Sequence, residues 1–163
     1  MSRAVMAIMA GLLCALAGMK HASSLKSNAV RLKRWGQILP CLALILREGT
    51  LSIPEALCTA ADGALPPDRL LHDMAVRISS KPMTSLTDAF LACCGECPEQ
   101  ALLTRMFARL GHGTKESRCL AVEQSAEEMA VLAKSAEEKA EKDVKLWQTL
   151  GFIGGACLTI LLL

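Results

Sequence analysis

Apolar residues in this chain recur at intervals of three and four rather than in alternation, so helices are expected throughout and strands are not. Leu25, Ala29, Leu32, Gly36 and Leu39 form one such stripe, and Pro40 is expected to kink or restart the helix that carries it. Gly49-Thr50-Leu51 reads as a turn. It is followed by a helix start in which Ser52 is the cap, Pro54 lies in the first turn and Glu55 takes the third position. Further breaks are expected at Asp62-Gly63 with Pro66-Pro67, at Lys81-Pro82, at Gly95 with Pro98, and at Gly111-His112-Gly113. The intervening helices should run about ten to fifteen residues each, the usual size in a bundle.

The last helix is of another kind. From Lys115 to Lys145 there is no Gly or Pro, and Val122, Ala126, Met129, Ala133, Ala136, Ala140, Val144 and Trp147 repeat at four and three. Alanine dominates this seam, so its partner helix must approach closely. The natural partner is the stripe that begins at Leu25, running antiparallel. Glu123, Glu127, Glu128, Glu137, Glu138 and Glu141, interleaved with lysines, read as the solvated outer face.

Both ends of the chain lack charge. Ala4 to Met19 is an uncharged run of sixteen residues, and Leu146 to Leu163 is one of eighteen. As helices they measure about 24 and 27 Å, close to the hydrocarbon thickness of a bilayer. The expected organisation is therefore a transmembrane helix over 1–20, a cytosolic helical bundle over 21–145 and a second transmembrane helix over 146–163. In that reading the fold is all-α, an antiparallel bundle whose long first and last helices continue into the spans. The first run also fits a cleavable signal peptide, with Ala15-Leu16-Ala17 before Gly18 as the small-residue site. Lys20, Lys26, Arg31, Lys33 and Arg34 follow it without an intervening acid, which resists translocation and favours the anchor with a cytosolic loop. Ala7, Gly11 and Ala15, spaced by four, and the pair Gly151 and Gly155 are the candidate packing positions of the membrane helices.

Composition agrees with this layout. Hydrophobic residues make up 52% and charged residues 21%, a balance that suits apolar ends around a charged middle. Aromatic residues make up only 3%, which disfavours nucleic-acid binding by base stacking, and a net charge of +2 is too small for a general polyanion binder.

Six of the eight cysteines lie between the runs: Cys41, Cys58, Cys93, Cys94, Cys97 and Cys119. Cys94 and Cys97 form a C-x-x-C, the spacing of redox pairs and of zinc half-sites. No second pair completes a zinc site, and a thioredoxin-like setting would need strands. The first reading is therefore small, buried, reduced thiols, with a metal or redox role as the alternative. His72 and His112 have no evident nucleophile or carboxylate partner, and no phosphate loop, G-x-S-x-G or paired-carboxylate motif occurs. No enzyme activity, cofactor or small-molecule substrate is expected.

Several segments together resemble the stage III sporulation protein AB family of endospore-forming bacteria. Phe107 to Ser117 looks like that family's turn into its last long helix, and Leu146 to Gly155 looks like its helix-to-membrane junction. Glu48 to Leu57 resembles a turn shared with the F-type platform proteins of type II secretion and type IV pilus systems. Ser85 to Leu91 resembles the family's middle helix. Ile45, Thr114 and Arg118 depart from its pattern. The resemblance implies a non-enzymatic platform in a secretion-like complex between mother cell and forespore. It would lie at the outer forespore membrane with its loop in the mother-cell cytosol. Its expected partners are a secretion-type ATPase (sporulation protein AA) and other membrane subunits of the complex. Arg31, Lys33, Arg34, Lys115 and Glu116 are the residues expected to contact them. An F-type component of an unrelated pilus or secretion system, and an exported thiol or metal protein, are the alternatives.

Overall fold

Six α-helices and no strand are found among the described residues of the computed structural model, which covers residues 2–81, 83–95 and 97–162. Side chains are undescribed at 2–8, 10–12, 14, 15, 148, 151, 152, 155, 156, 158, 159, 161 and 162. The helices are α1 (Ser2–Glu48), α2 (Ile53–Ala60), α3 (Pro66–Ser80), α4 (Leu86–Cys93), α5 (Gln100–Gly111) and α6 (Lys115–Leu162). The breaks expected from glycine and proline between Gly49 and Gly113 fall at or between helix ends, with Pro82 outside the described residues.

The chain divides into two units, residues 31–133 and residues 1–30 with 134–163. In the 31–133 unit, α2 packs on α3, α3 on α4 and α4 on α5. Its core is made of fully buried Trp35, Ile38, Leu39 and Leu42 from α1, Leu57, Leu71 and Met74 from α2 and α3, and Phe90, Leu103, Met106, Phe107 and Leu110 from α4 and α5. Val122 and Met129 of α6 complete it. Phe90 and Phe107 meet with ring centroids 5.0 Å apart, an arrangement that adds to the area they bury.

Pro40 does not restart the helix, one of the two expected outcomes: α1 runs through it. It sits on the exposed face, where the missing N–H leaves a solvent-side carbonyl that water can satisfy, while Leu39, Leu42 and Ala43 on the opposite face are buried. The residue four back is Gly36, so no side chain crowds the proline ring from the preceding turn. Packing thus carries the helix through a residue whose local preference opposes it. The helix ends eight residues later, where Gly49 adopts φ +69° and donates its N–H to the Ile45 carbonyl at 3.2 Å.

The seam of α6 is legible in its burial as far as Val144: Val122, Ala126, Met129 and Ala140 are buried, Ala133, Ala136 and Val144 are half-buried, and Trp147 is exposed. In the 31–133 unit the C-terminal end of α1 meets the N-terminal end of α6. There the Lys115 Nζ donates to the Glu48 carbonyl at 3.3 Å, and Arg47 pairs with Glu123. In the other unit His21 of α1 stands edge-on to Trp147 of α6, with centroids 4.6 Å apart. Both meetings suit antiparallel neighbours. Among the described residues no helix is long and apolar enough to cross a membrane. The two expected spans fall largely on positions whose side chains are outside that description, as do the packing positions Ala7, Gly11, Ala15, Gly151 and Gly155.

Candidate functional site

Arg31 and Arg34 are three residues apart, so they share one face of α1. That face is turned inward to two acids. The Arg34 Nη2 donates to the Asp68 Oδ1 at 2.7 Å, and its Nε donates to Oδ2 at 3.0 Å. Asp68 is 1% exposed and lies in the first turn of α3, behind Pro66 and Pro67. The hydrogen bond that Arg34 donates to Asp68 raises the Arg34 pKa above its ordinary value, and this outweighs the cost of burial. Arg31 holds the second acid, Glu99, with Nε 2.7 Å from Oε1 and Nη2 donating to Oε2 at 3.1 Å. Glu99 is 2% exposed and immediately precedes α5. These pairs fasten the α3 start and the α5 start to α1. Burying both carboxylates is tolerable because each is met by a guanidinium, Asp68 by the two-nitrogen fork of Arg34 and Glu99 by the Arg31 charge and one hydrogen bond.

Of the five residues expected at a partner interface, two are therefore committed within the fold. A partner using Arg31 or Arg34 would have to displace Glu99 or Asp68. Lys33 is exposed on α1. Lys115 and Glu116 are exposed in the first turn of α6, with Lys115 reaching the Glu48 carbonyl. Sequence reasoning did not single out Asp68 or Glu99. The adjacent Trp35, a residue that wants burial, is a hint toward this face, but only the two distant acids reveal that the arginines turn inward.

Beside the Arg31–Glu99 pair lies a cleft of about 350 Å³. It is lined by Trp35, Arg31 and Arg69 on one hand and by Cys93, Cys94 and Cys97 on the other. The Cys94 and Cys97 sulfurs touch at 3.3 Å and are not bonded. Both are half-buried rather than sealed in the core. Burial, the hydrogen bond with Cys97 and the charge of Cys97 push the Cys94 thiol up to about 12. Among the described residues no group of three or more His, Cys, Asp or Glu side chains could hold a metal ion. The other thiol with a polar partner is Cys58, whose sulfur lies 3.7 Å from the Nδ1 of His72. His112 is exposed at the end of α5.

Among the described residues the arrangement is all-helical, with two buried ion pairs that serve helix placement. The family model described as stage III sporulation protein AB matches residues 3–163, and the chain belongs to that family. No curated protein and no solved structure gives a significant match to it.

Proposed function

We propose that this stage III sporulation protein is a non-enzymatic membrane platform in a secretion-like complex between mother cell and forespore. Residues 4–19 and 146–163 act as its two spans at the outer forespore membrane, and the helical unit between them faces the mother-cell cytosol. There it docks a secretion-type ATPase, the AA protein of the same complex, and neighbouring membrane subunits. One observation supports this reading most: α1 and α6 are uninterrupted over 47 and 48 residues. Each apolar run is thus the direct continuation of a helix that also frames the packed 31–133 unit, which suits an anchored scaffold. The family membership and the loop's likeness to F-type platform domains point the same way.

Two experiments test it. Full-length protein in detergent should retain the ATPase on an affinity support; absence of retention at high micromolar ATPase would remove the docking role. In intact protoplasts a membrane-impermeant maleimide should leave exposed Cys41 unlabelled until lysis. Labelling before lysis would place the loop outside and overturn the topology.

A further inference from the structure

Cys94 and Cys97 are in van der Waals contact, neighbouring Gly95 has open space around it, and both cysteines line a cleft that opens to solvent. Closing a disulfide between them requires the sulfurs to approach by only about 1.2 Å, to the ordinary bond length of ~2.05 Å. Both cysteines lie outside the helices, since α4 ends at Cys93 and α5 starts at Gln100.

We propose that Cys94 and Cys97 form a thiol–disulfide exchange site that takes a low-molecular-weight disulfide as its oxidant. The Cys97 thiolate attacks one sulfur of that disulfide, forming a mixed disulfide and expelling the first thiolate. Cys94 then gives its proton to solvent, attacks the Cys97 sulfur and expels the second thiolate. Two electrons pass from the protein dithiol to the small disulfide, which leaves as two thiols. The order follows from the environment. Burial, the largest cause, and the hydrogen bond with Cys97 hold the proton on Cys94, so Cys97 attacks first. Arg69, exposed at the cleft, suits an oxidant bearing carboxylates. Glu99 lies two residues beyond Cys97, so the closed form also bears on the Arg31–Glu99 pair that fastens this loop to α1.

The test is oxidation of the reduced full-length protein in detergent with oxidised glutathione. Free thiols are then blocked and the bridges located by peptide mass mapping. The expected product is a Cys94–Cys97 bridge without retained glutathione, reversed by dithiothreitol. Cys94→Ser should trap glutathione on Cys97, and Cys97→Ser should leave Cys94 largely unmodified. Glutathione retained on either cysteine of the unaltered protein, a bridge to Cys93 instead, or both thiols remaining free would each overturn the proposal.

Discussion

The Arg34 guanidinium grips the Asp68 carboxylate through two nitrogens, at 2.7 and 3.0 Å, although the acid is 1% exposed. A pair of this kind contributes modestly when whole, but removing one member leaves an uncompensated charge in the interior. Arg34→Ala should therefore destabilise the protein by about 3 kcal/mol, and Arg34→Leu with Asp68→Leu by much less. Thermal unfolding of full-length protein followed by circular dichroism measures both. Equal losses in the single and double variants would mean that the pair does not hold α3 to α1.

Gly63 stands against the same pair. A Cβ built there would lie 2.7 Å from the Asp68 Oδ2 and 2.8 Å from the Arg34 Nη2. Those atoms hold each other in place and cannot yield as a free side-chain end could. Gly63→Ala should cost about 1–3 kcal/mol. Because the clash is with the pair, the cost should shrink in the Arg34→Leu, Asp68→Leu background, which a double-mutant cycle reads directly.

The helix boundaries of the middle of the chain were legible because each is set locally, by Gly49 in the left-handed region, Ser52 and Glu55 at a cap, or Pro66 and Pro67 at a first turn. The seam on α6 was legible because its apolar repeat is unbroken. Two things were not. The passage of α1 through Pro40 depends on Leu39, Leu42 and Ala43 finding partners elsewhere in the chain, and no local preference reports that. The inward turn of Arg31 and Arg34 depends on Asp68 and Glu99, which are 34 and 68 residues away in sequence. A run of basic residues reads as a solvated stretch until the buried acids that oppose it are in view. The same holds for Cys94 and Cys97, whose spacing was visible while their shared cleft was not.

Pro40 is a local opponent of the helix it occupies, and that makes a prediction of opposite sign. It is exposed, so replacing it removes no core contact, and an alanine N–H could bond to the Gly36 carbonyl. Pro40→Ala should stabilise the protein by about 1–3 kcal/mol. A fall in the unfolding midpoint would show instead that the proline sets a bend the bundle needs.

The cap of α2 carries a pH signature. The Ser52 backbone N–H and Oγ both donate to the Glu55 Oε2, at 2.9 and 2.7 Å, and these bonds lower the Glu55 pKa below its ordinary 4.5. A carboxylate lowered by folding contributes stability above 4.5, and that contribution is lost as pH falls through the lower folded value. Glu55→Gln should therefore lower the unfolding midpoint at neutral pH and converge with the unaltered protein in acid below that value. Parallel midpoint curves across the whole acid range would show that the cap makes no contribution.

The division between committed and free charges separates docking from folding. Arg31 is tied to buried Glu99, whereas Glu116 is exposed in the first turn of α6. Reversing Glu116 to Lys inverts an exposed charge in the first turn of α6, an effect on stability of about 1 kcal/mol or less. Arg31→Ala strands a carboxylate that is 2% exposed, which should cost about 3 kcal/mol. If the ATPase docks at the start of α6, Glu116→Lys should weaken its retention several-fold at an unchanged unfolding midpoint. Arg31→Ala should lower the midpoint first and reduce retention only as the fold is lost. Measuring both quantities on both variants discriminates the roles. Undiminished retention with Glu116→Lys would move the docking surface away from this turn, and lost retention with Arg31→Ala at an unchanged midpoint would show that the partner, not Glu99, is what Arg31 serves.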